Sequence, residues 1–188
     1  MKIEFIVPTW ERPNDLKLIL QSLMVQTNPN WKAHVIIDGM TNDYKHVKDM
    51  YQDEPRVRFS HVEGPNKDYG HTARNYGLDN TTEDWVVMTG DDNYYVPVFV
   101  DEFLKRKEGI FVYCNMVHNL AFGGYQVFKS IPKKGAIDIG NFMVRRDKIG
   151  DLRLNTKSYE ADGEFVESFL IKNKTTPIKI EKVLYVHN

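Results

Sequence analysis

The sequence predicts an α/β fold: a mainly parallel central sheet flanked by helices, with antiparallel additions in the C-terminal half. Three observations carry this expectation. Up to Pro97, short runs of β-branched and aromatic residues alternate with segments whose apolar residues recur at helical spacing. That alternation is the pattern of βαβ units with right-handed crossovers. Beyond Pro97 the apolar runs follow one another more closely around a Gly-Gly pair, as hairpin strands do.

Taken in order, Ile3, Phe5, Ile6 and Val7 form an apolar run closed by Pro8, a buried strand. Thr9 to Pro13 reads as a loop and Asn14 as a helix N-cap. Asp15 then suits the first turn, with Leu16, Ile19, Leu20 and Leu23 on one face, and the helix should stop before Asn28-Pro29. A second strand, Ala33 to Ile37, runs into Asp38-Gly39, and a helix around Asp43 to Tyr51 returns the chain to a third strand, Val57 to Val62. Gly64-Pro65-Asn66 marks a loop, His71 to Leu78 a helix, and Trp85 to Met88 a fourth buried strand. In the second half, Val98 to Arg106 reads as helix and Ile110 to Val117 as strand. Gly123-Gly124 with Tyr125 to Phe128 reads as a hairpin arm and Phe142 to Arg145 as another strand. Phe165 to Ile171 is an apolar helix and Ile178 to Val186 a terminal strand.

A chain of 188 residues has the size of one ordinary domain, and its 41% hydrophobic and 27% charged residues are those of a folded globular protein. No repeat, low-complexity tract or linker divides it, so one domain over 1–188 is expected. With 25 basic and 26 acidic residues the net charge is -1, which gives no electrostatic reason for nucleic-acid binding. The single Cys114 lies in an apolar run, where a buried free thiol is expected and a reducing compartment fits. The apolar stretch before Pro8 is too short for a signal-peptide core or a membrane span, so a cytoplasmic, soluble protein is expected.

In an open α/β sheet, ligands bind beyond the carboxyl ends of the parallel strands, where loops converge and helix N-termini present free N–H groups. Here those ends read Pro8-Thr9, Asp38-Gly39, Glu63-Gly64 and Gly90-Asp91-Asp92-Asn93. Adjacent carboxylates repel, and a hard divalent cation, Mn²⁺ or Mg²⁺, relieves that repulsion while also binding a diphosphate. Taken alone, Asp91-Asp92-Asn93 could be only a solvated turn. Asp38 at a second strand end and the aromatic continuation Tyr94-Tyr95-Val96-Pro97 argue for the metal loop, although Asp38 could equally cap a turn.

Three blocks of the chain resemble family 2 glycosyltransferases of the GT-A fold, a Rossmann-like architecture. Ile6-Val7-Pro8-Thr9-Trp10-Glu11-Arg12-Pro13, with the helix through Leu23 and Gln26-Thr27-Asn28-Pro29, is similar to the family's first strand, loop and helix. Val35 to Asp43 is similar to its second strand, and Ala73-Arg74-Asn75-Tyr76-Gly77-Leu78 with Trp85 to Pro97 to the segment leading into its acidic metal motif. The order Asp91-Asp92-Asn93 is especially similar to the metal loop of the spore-coat polysaccharide glycosyltransferase.

The resemblance implies a nucleotide-sugar and metal half, 1–97, and an acceptor-side half, 98–188. It implies a UDP-type nucleotide diphosphate sugar as donor, a carbohydrate or other hydroxyl as acceptor, and Mn²⁺ or Mg²⁺ as cofactor. Pro8, Thr9, Glu11, Asp38, Arg74 and Asp91 would line the nucleotide, with Thr9 and Asp38 meeting the base and Arg74 near the diphosphate. Asp92 would ligate the cation, and His187 could complete its shell. Asn93 replaces the second acid found in many relatives.

Asp162, at the opening of a late helix in Tyr159-Glu160-Ala161-Asp162-Gly163-Glu164, is the candidate general base, with Glu160 and Glu164 as rivals. Acids at a helix start also serve as dipole-complementing caps. His71 is a candidate contact for phosphate or acceptor, and Trp10, Tyr94, Tyr95 and Tyr125 are candidates to stack on base or sugar. The expected reaction inverts the anomeric carbon. Two other readings stay open: a nucleotidyltransferase, disfavoured by the lack of a Gly-rich basic triphosphate loop, and a non-catalytic nucleotide-sugar or carbohydrate-binding module.

Overall fold

Strand β1 (Ile3–Thr9) lies inside the sheet because every one of its residues is buried. Its side chains alternate between two cores: Ile3, Phe5 and Val7 enter one and Ile6 the other. The structure, a computed structural model, describes residues 1–39, 43–120 and 124–188. The Met40-Thr41-Asn42 part of the second similar block and the Gly123 of the hairpin turn lie outside the described residues.

On the first core pack α1 (Pro13–Met24), α2 (Lys45–Met50) and α4 (Phe99–Leu104). The helical spacing of α1 puts Leu16, Ile19, Leu20 and Leu23 against the sheet, each burial worth about 1.5–3 kcal/mol. On the second core pack α3 (His71–Asn80), the short α5 (Arg146–Ile149) and α6 (Ala161–Asn173). Gly77 lets α3 come close, since a Cβ there would lie 2.4 Å from Ile6 Cγ2.

Among the described residues the sheet has nine strands, in the order β3-β2-β1-β4-β8-β6-β9-β5, with β7 paired to β6. Strands β2 (Trp31–Asp38), β3 (Val57–Val62) and β4 (Trp85–Met88) run parallel to β1. Strand β8 (Phe142–Arg145) is antiparallel to both β4 and β6 (Phe111–Leu120). Strands β5 (Tyr94–Tyr95) and β7 (Gly124–Phe128) are antiparallel to β9 (Ile178–His187) and β6 respectively. Because β6 therefore points the same way as β4, and β9 is parallel to β6, the C-terminal end of β9 joins the edge formed by the ends of β1, β2 and β4. This parallel strand among the antiparallel additions was invisible to local patterning.

Several boundaries differ from the sequence expectation by a few residues, and two of them lie where β1 hands over to α1. Thr9 belongs to β1 instead of a loop, and α1 begins at Pro13, with Arg12 in the cap position and Asn14 inside the helix. Proline at the first helical position has its φ preset and no N–H to satisfy, so it outcompetes the Asn14 cap. Strand β5 and helix α5 are too short for periodicity to reveal.

Candidate active site

Four predicted residues meet at the C-terminal edge of the sheet. Thr9 ends β1, Asp38 ends β2, Asp91 follows β4 and His187 ends β9. Asp91 is buried, and its Oδ2 accepts a 2.6 Å hydrogen bond from Thr9 Oγ1, which also lies 2.8 Å from the Tyr44 hydroxyl. Asp92 is more open. Its Oδ2 accepts from Arg12 Nη1 at 2.6 Å, and the same nitrogen is 3.7 Å from Asp91 Oδ1. Burial pushes the Asp91 carboxyl up to about 6; the Thr9 hydrogen bond and Arg12 oppose this, and the Asp92 charge adds to it. The adjacent acids are thus a buried member fixed by threonine and an outer member facing solvent and the Arg12 guanidinium.

Asp38 accepts from the Asn66 backbone N–H, at 3.1 Å to Oδ2, and from its side-chain amide, at 2.7 Å to Oδ1. The carboxylate thereby fastens the loop after β3, which closes tightly enough that a Cβ on Gly64 would meet Asp38 Oδ1 at 2.0 Å. Pro8 is buried in β1, and its ring would lie 3.1 Å from a Cβ on Gly70. Glu11 is exposed at the rim, with a φ of 54°.

Arg74 is buried. Its Nε donates to the Thr89 carbonyl at 3.0 Å and its Nη1 to the Tyr69 carbonyl at 2.6 Å, tying α3 to the segment after β4 and to the loop before the helix. Burial lowers its pKa from the ordinary value, while the Asp138, Asp91 and Asp162 charges support the cation. His71 is likewise buried. Its Nε2 lies 3.1 Å from the Ser158 carbonyl, so it joins α3 to the approach of α6.

Asp162 stands in the first turn of α6, its Oδ1 accepting from the Gly163 N–H at 2.7 Å. Burial pushes its carboxyl up to about 6; the Gly163 N–H and Arg74 oppose this, and Asp138 adds to it. Its rivals are engaged elsewhere: Glu160 pairs with Lys134 at 3.0 Å, and Glu164 accepts from Ser158 Oγ at 2.8 Å. Of the aromatic candidates, Tyr95 is removed from the ligand side: it is fully buried against Phe5 and Phe99. Trp10 and Tyr94 stay about 40% exposed, and the Tyr125 hydroxyl donates to Asn188 Oδ1 at 2.7 Å on the β7 arm.

His187 is ordered within β9 opposite His118, not frayed as a terminal histidine ordinarily is. Its Nδ1 is buried without a hydrogen-bond partner, 3.5 Å from Asp138 Oδ2. That spacing is an ion-pair distance without hydrogen-bond alignment. Among the described residues no three His, Cys, Asp or Glu side chains form a ready metal cage. A hard cation bound with a diphosphate takes one or two protein ligands, and the Asp92 carboxylate and the His187 imidazole are groups of the kind that such a cation takes.

Sequence reasoning missed Arg12, Tyr44, Asn66 and Asp138 as members of this edge. Arg12 follows a strand end and was legible in principle. The other three reach the edge only through tertiary packing.

Residues 4–177 match Glycosyl transferase family 2. Two uncharacterized glycosyltransferases, of Rickettsia felis and Rickettsia conorii, are each 27% identical over 109 residues, 57% of this chain and 17% of theirs. Among solved structures, S. aureus TarS 1–349 superposes over 100% of this chain and 60% of its own with a TM-score of 0.81 at 17% identity. A mannosyltransferase from Pyrobaculum calidifontis, in complex with GDP-Man and Mn²⁺, matches 99% of this chain and 56% of its own with a TM-score of 0.72 at 14% identity. The chain therefore spans about a sixth of the length of these curated relatives and under two thirds of these solved chains. At such identities the structural likeness establishes the shared architecture.

Proposed function

The chain belongs to glycosyl transferase family 2, and from that membership we propose that it moves a sugar from a nucleotide diphosphate sugar to an acceptor hydroxyl, with inversion at the anomeric carbon. The observation that carries this reading is the split pair of acids at the sheet edge, Asp91 buried on Thr9 and Asp92 open beside Arg12, with Asp162 on the same side of the fold.

In this reading Thr9, Pro8 and Asp38 with its Asn66 partner form the base pocket, and Glu11 borders it. A UDP-type donor is supported by TarS, which has been crystallised with UDP and with UDP-GlcNAc. Asp92 and His187 would hold Mn²⁺ or Mg²⁺, which when bound would supply positive charge to the diphosphate. Arg12, held on Asp92, would offer its positive charge to the same anion, and Arg74 braces the loops of the site. Asp162 takes the proton of the attacking hydroxyl. Its carboxyl near 6 suits a base that must be ionised at neutral pH yet retain some proton affinity. The Asp-Asp-Asn order, similar to that of the spore-coat polysaccharide enzyme, supports a role in building a polysaccharide.

Calorimetry with UDP and GDP, with and without Mn²⁺, tests the donor site. The wild type is expected to bind one of them in a metal-dependent way, and Asp92→Asn to lose that dependence. Donor turnover in the presence of acceptors then separates an enzyme from a binding module: metal-dependent nucleotide binding with no turnover for any acceptor would overturn the catalytic reading.

A further inference from the structure

Beside the same edge stand two tyrosines that none of the roles above uses. Tyr69 and Tyr159 are 63% and 76% exposed, yet their rings meet edge to face with centroids 5.2 Å apart at 75°. They come from separate segments, Tyr69 from the loop before α3 and Tyr159 from the turn before α6. The contact of His71 Nε2 with the Ser158 carbonyl joins these segments, and the Tyr69 carbonyl is held to its own helix by the buried Arg74. Tyr69 sits at a φ of 62°, a left-handed conformation that is costly for a bulky side chain. Ring surface left in water contributes nothing to folding. The fold thus anchors an exposed aromatic pair at some backbone cost, and Tyr159 lies three residues before Asp162.

We propose that Tyr69 and Tyr159 form the acceptor subsite, a platform on which a pyranose ring of a saccharide acceptor lies with one hydroxyl directed at Asp162. A pyranose has an apolar face of C–H groups and a polar rim. Tyrosine rings cover the face, while their hydroxyls are available to the rim. An acyclic polyol has no rigid apolar face and gains little from such a platform. This assignment rests on the glycosyl-transfer reading for its reaction, but not for its binding test.

The test uses the whole chain with UDP and Mn²⁺, and saturation-transfer difference NMR with methyl β-D-glucopyranoside, methyl α-D-mannopyranoside and chitobiose, with ribitol as the acyclic control. At least one pyranoside is expected to show transfer to its ring C–H protons and ribitol none. Tyr159→Ala should weaken pyranoside binding by about tenfold, as the loss of one aromatic contact implies. Tyr159→Phe should retain it, and both variants should bind UDP as the wild type does. Absence of any pyranoside signal, equal transfer to ribitol, or an unchanged pyranoside affinity in Tyr159→Ala would each overturn the platform. If the wild type fails to bind nucleotide while the pyranoside results hold, the donor reading falls and the saccharide platform stands.

Discussion

At the scale of single residues, Asp162 ties function and stability together with opposite signs. Its carboxyl is raised from the ordinary 3.8 to about 6, chiefly by burial. A base must be ionised, so kcat/KM is expected to hold above about pH 6 and to fall about tenfold per unit below it. Stability runs the other way. The folded state holds this proton more tightly than the unfolded chain, so the carboxylate's cost develops as pH rises from 3.8 and is complete above about 6. Asp162→Asn keeps an acceptor for the Gly163 N–H without the charge. It should lose about 10²–10⁴ in transfer rate while Tm at pH 7.5 rises by about 3–6 °C. A lower Tm in a thermal melt would contradict the burial argument. Glu4 behaves in the conventional sense. Burial alone would raise its pKa, but Thr81, Arg58 and the Thr82 N–H together bring it below the ordinary value. Its contribution is present above 4.5 and lost as acid takes pH down through the folded value. Glu4→Ala should cost about 2–3 kcal/mol in urea unfolding at pH 7, with the deficit shrinking towards pH 3.

At the scale of elements, the parallel half was legible because its strands are continuous apolar runs and its helices carry clear stripes. Ile3, Phe5 and Val7 on one face and Ile6 on the other show that such a run feeds two cores at once. The helix α3 is less patterned, and its seating depends on Gly77. In a free helix Gly77→Ala would stabilise by about 1 kcal/mol. Here the added methyl meets Ile6 Cγ2 at 2.4 Å, so net destabilisation of about 1–2 kcal/mol is expected from denaturant unfolding. Because α3 carries His71 and Arg74, the same variant should also weaken nucleotide binding. Stabilisation by Gly77→Ala would show that the helix lifts freely from β1.

At the scale of the whole molecule, the two halves are joined by the pairing of β4 with β8 and by that of β5 with β9. Strand β9 lies between β6 and β5, buries Ile180, Leu184 and Tyr185 in the first core, and delivers His187 to the C-terminal edge of the parallel strands. Removing residues 178–188 strips β6 and β5 of a partner, and a broad, non-cooperative melt with loss of nucleotide binding is expected. A truncated chain that melts sharply would mean the N-terminal half folds without it. By itself the sequence determined the alternation of strands and helices, the acids at the strand ends, and the resemblance borne by its first hundred or so residues, because these are written in local periodicity and short spacings. Only the tertiary structure decided that Arg12 faces Asp92, that Asn66 answers Asp38, that Asp138 approaches His187, and that Tyr69 meets Tyr159. Each of these pairs joins residues far apart in the chain, and sheet order, which no local pattern encodes, is what brings them within a few ångströms.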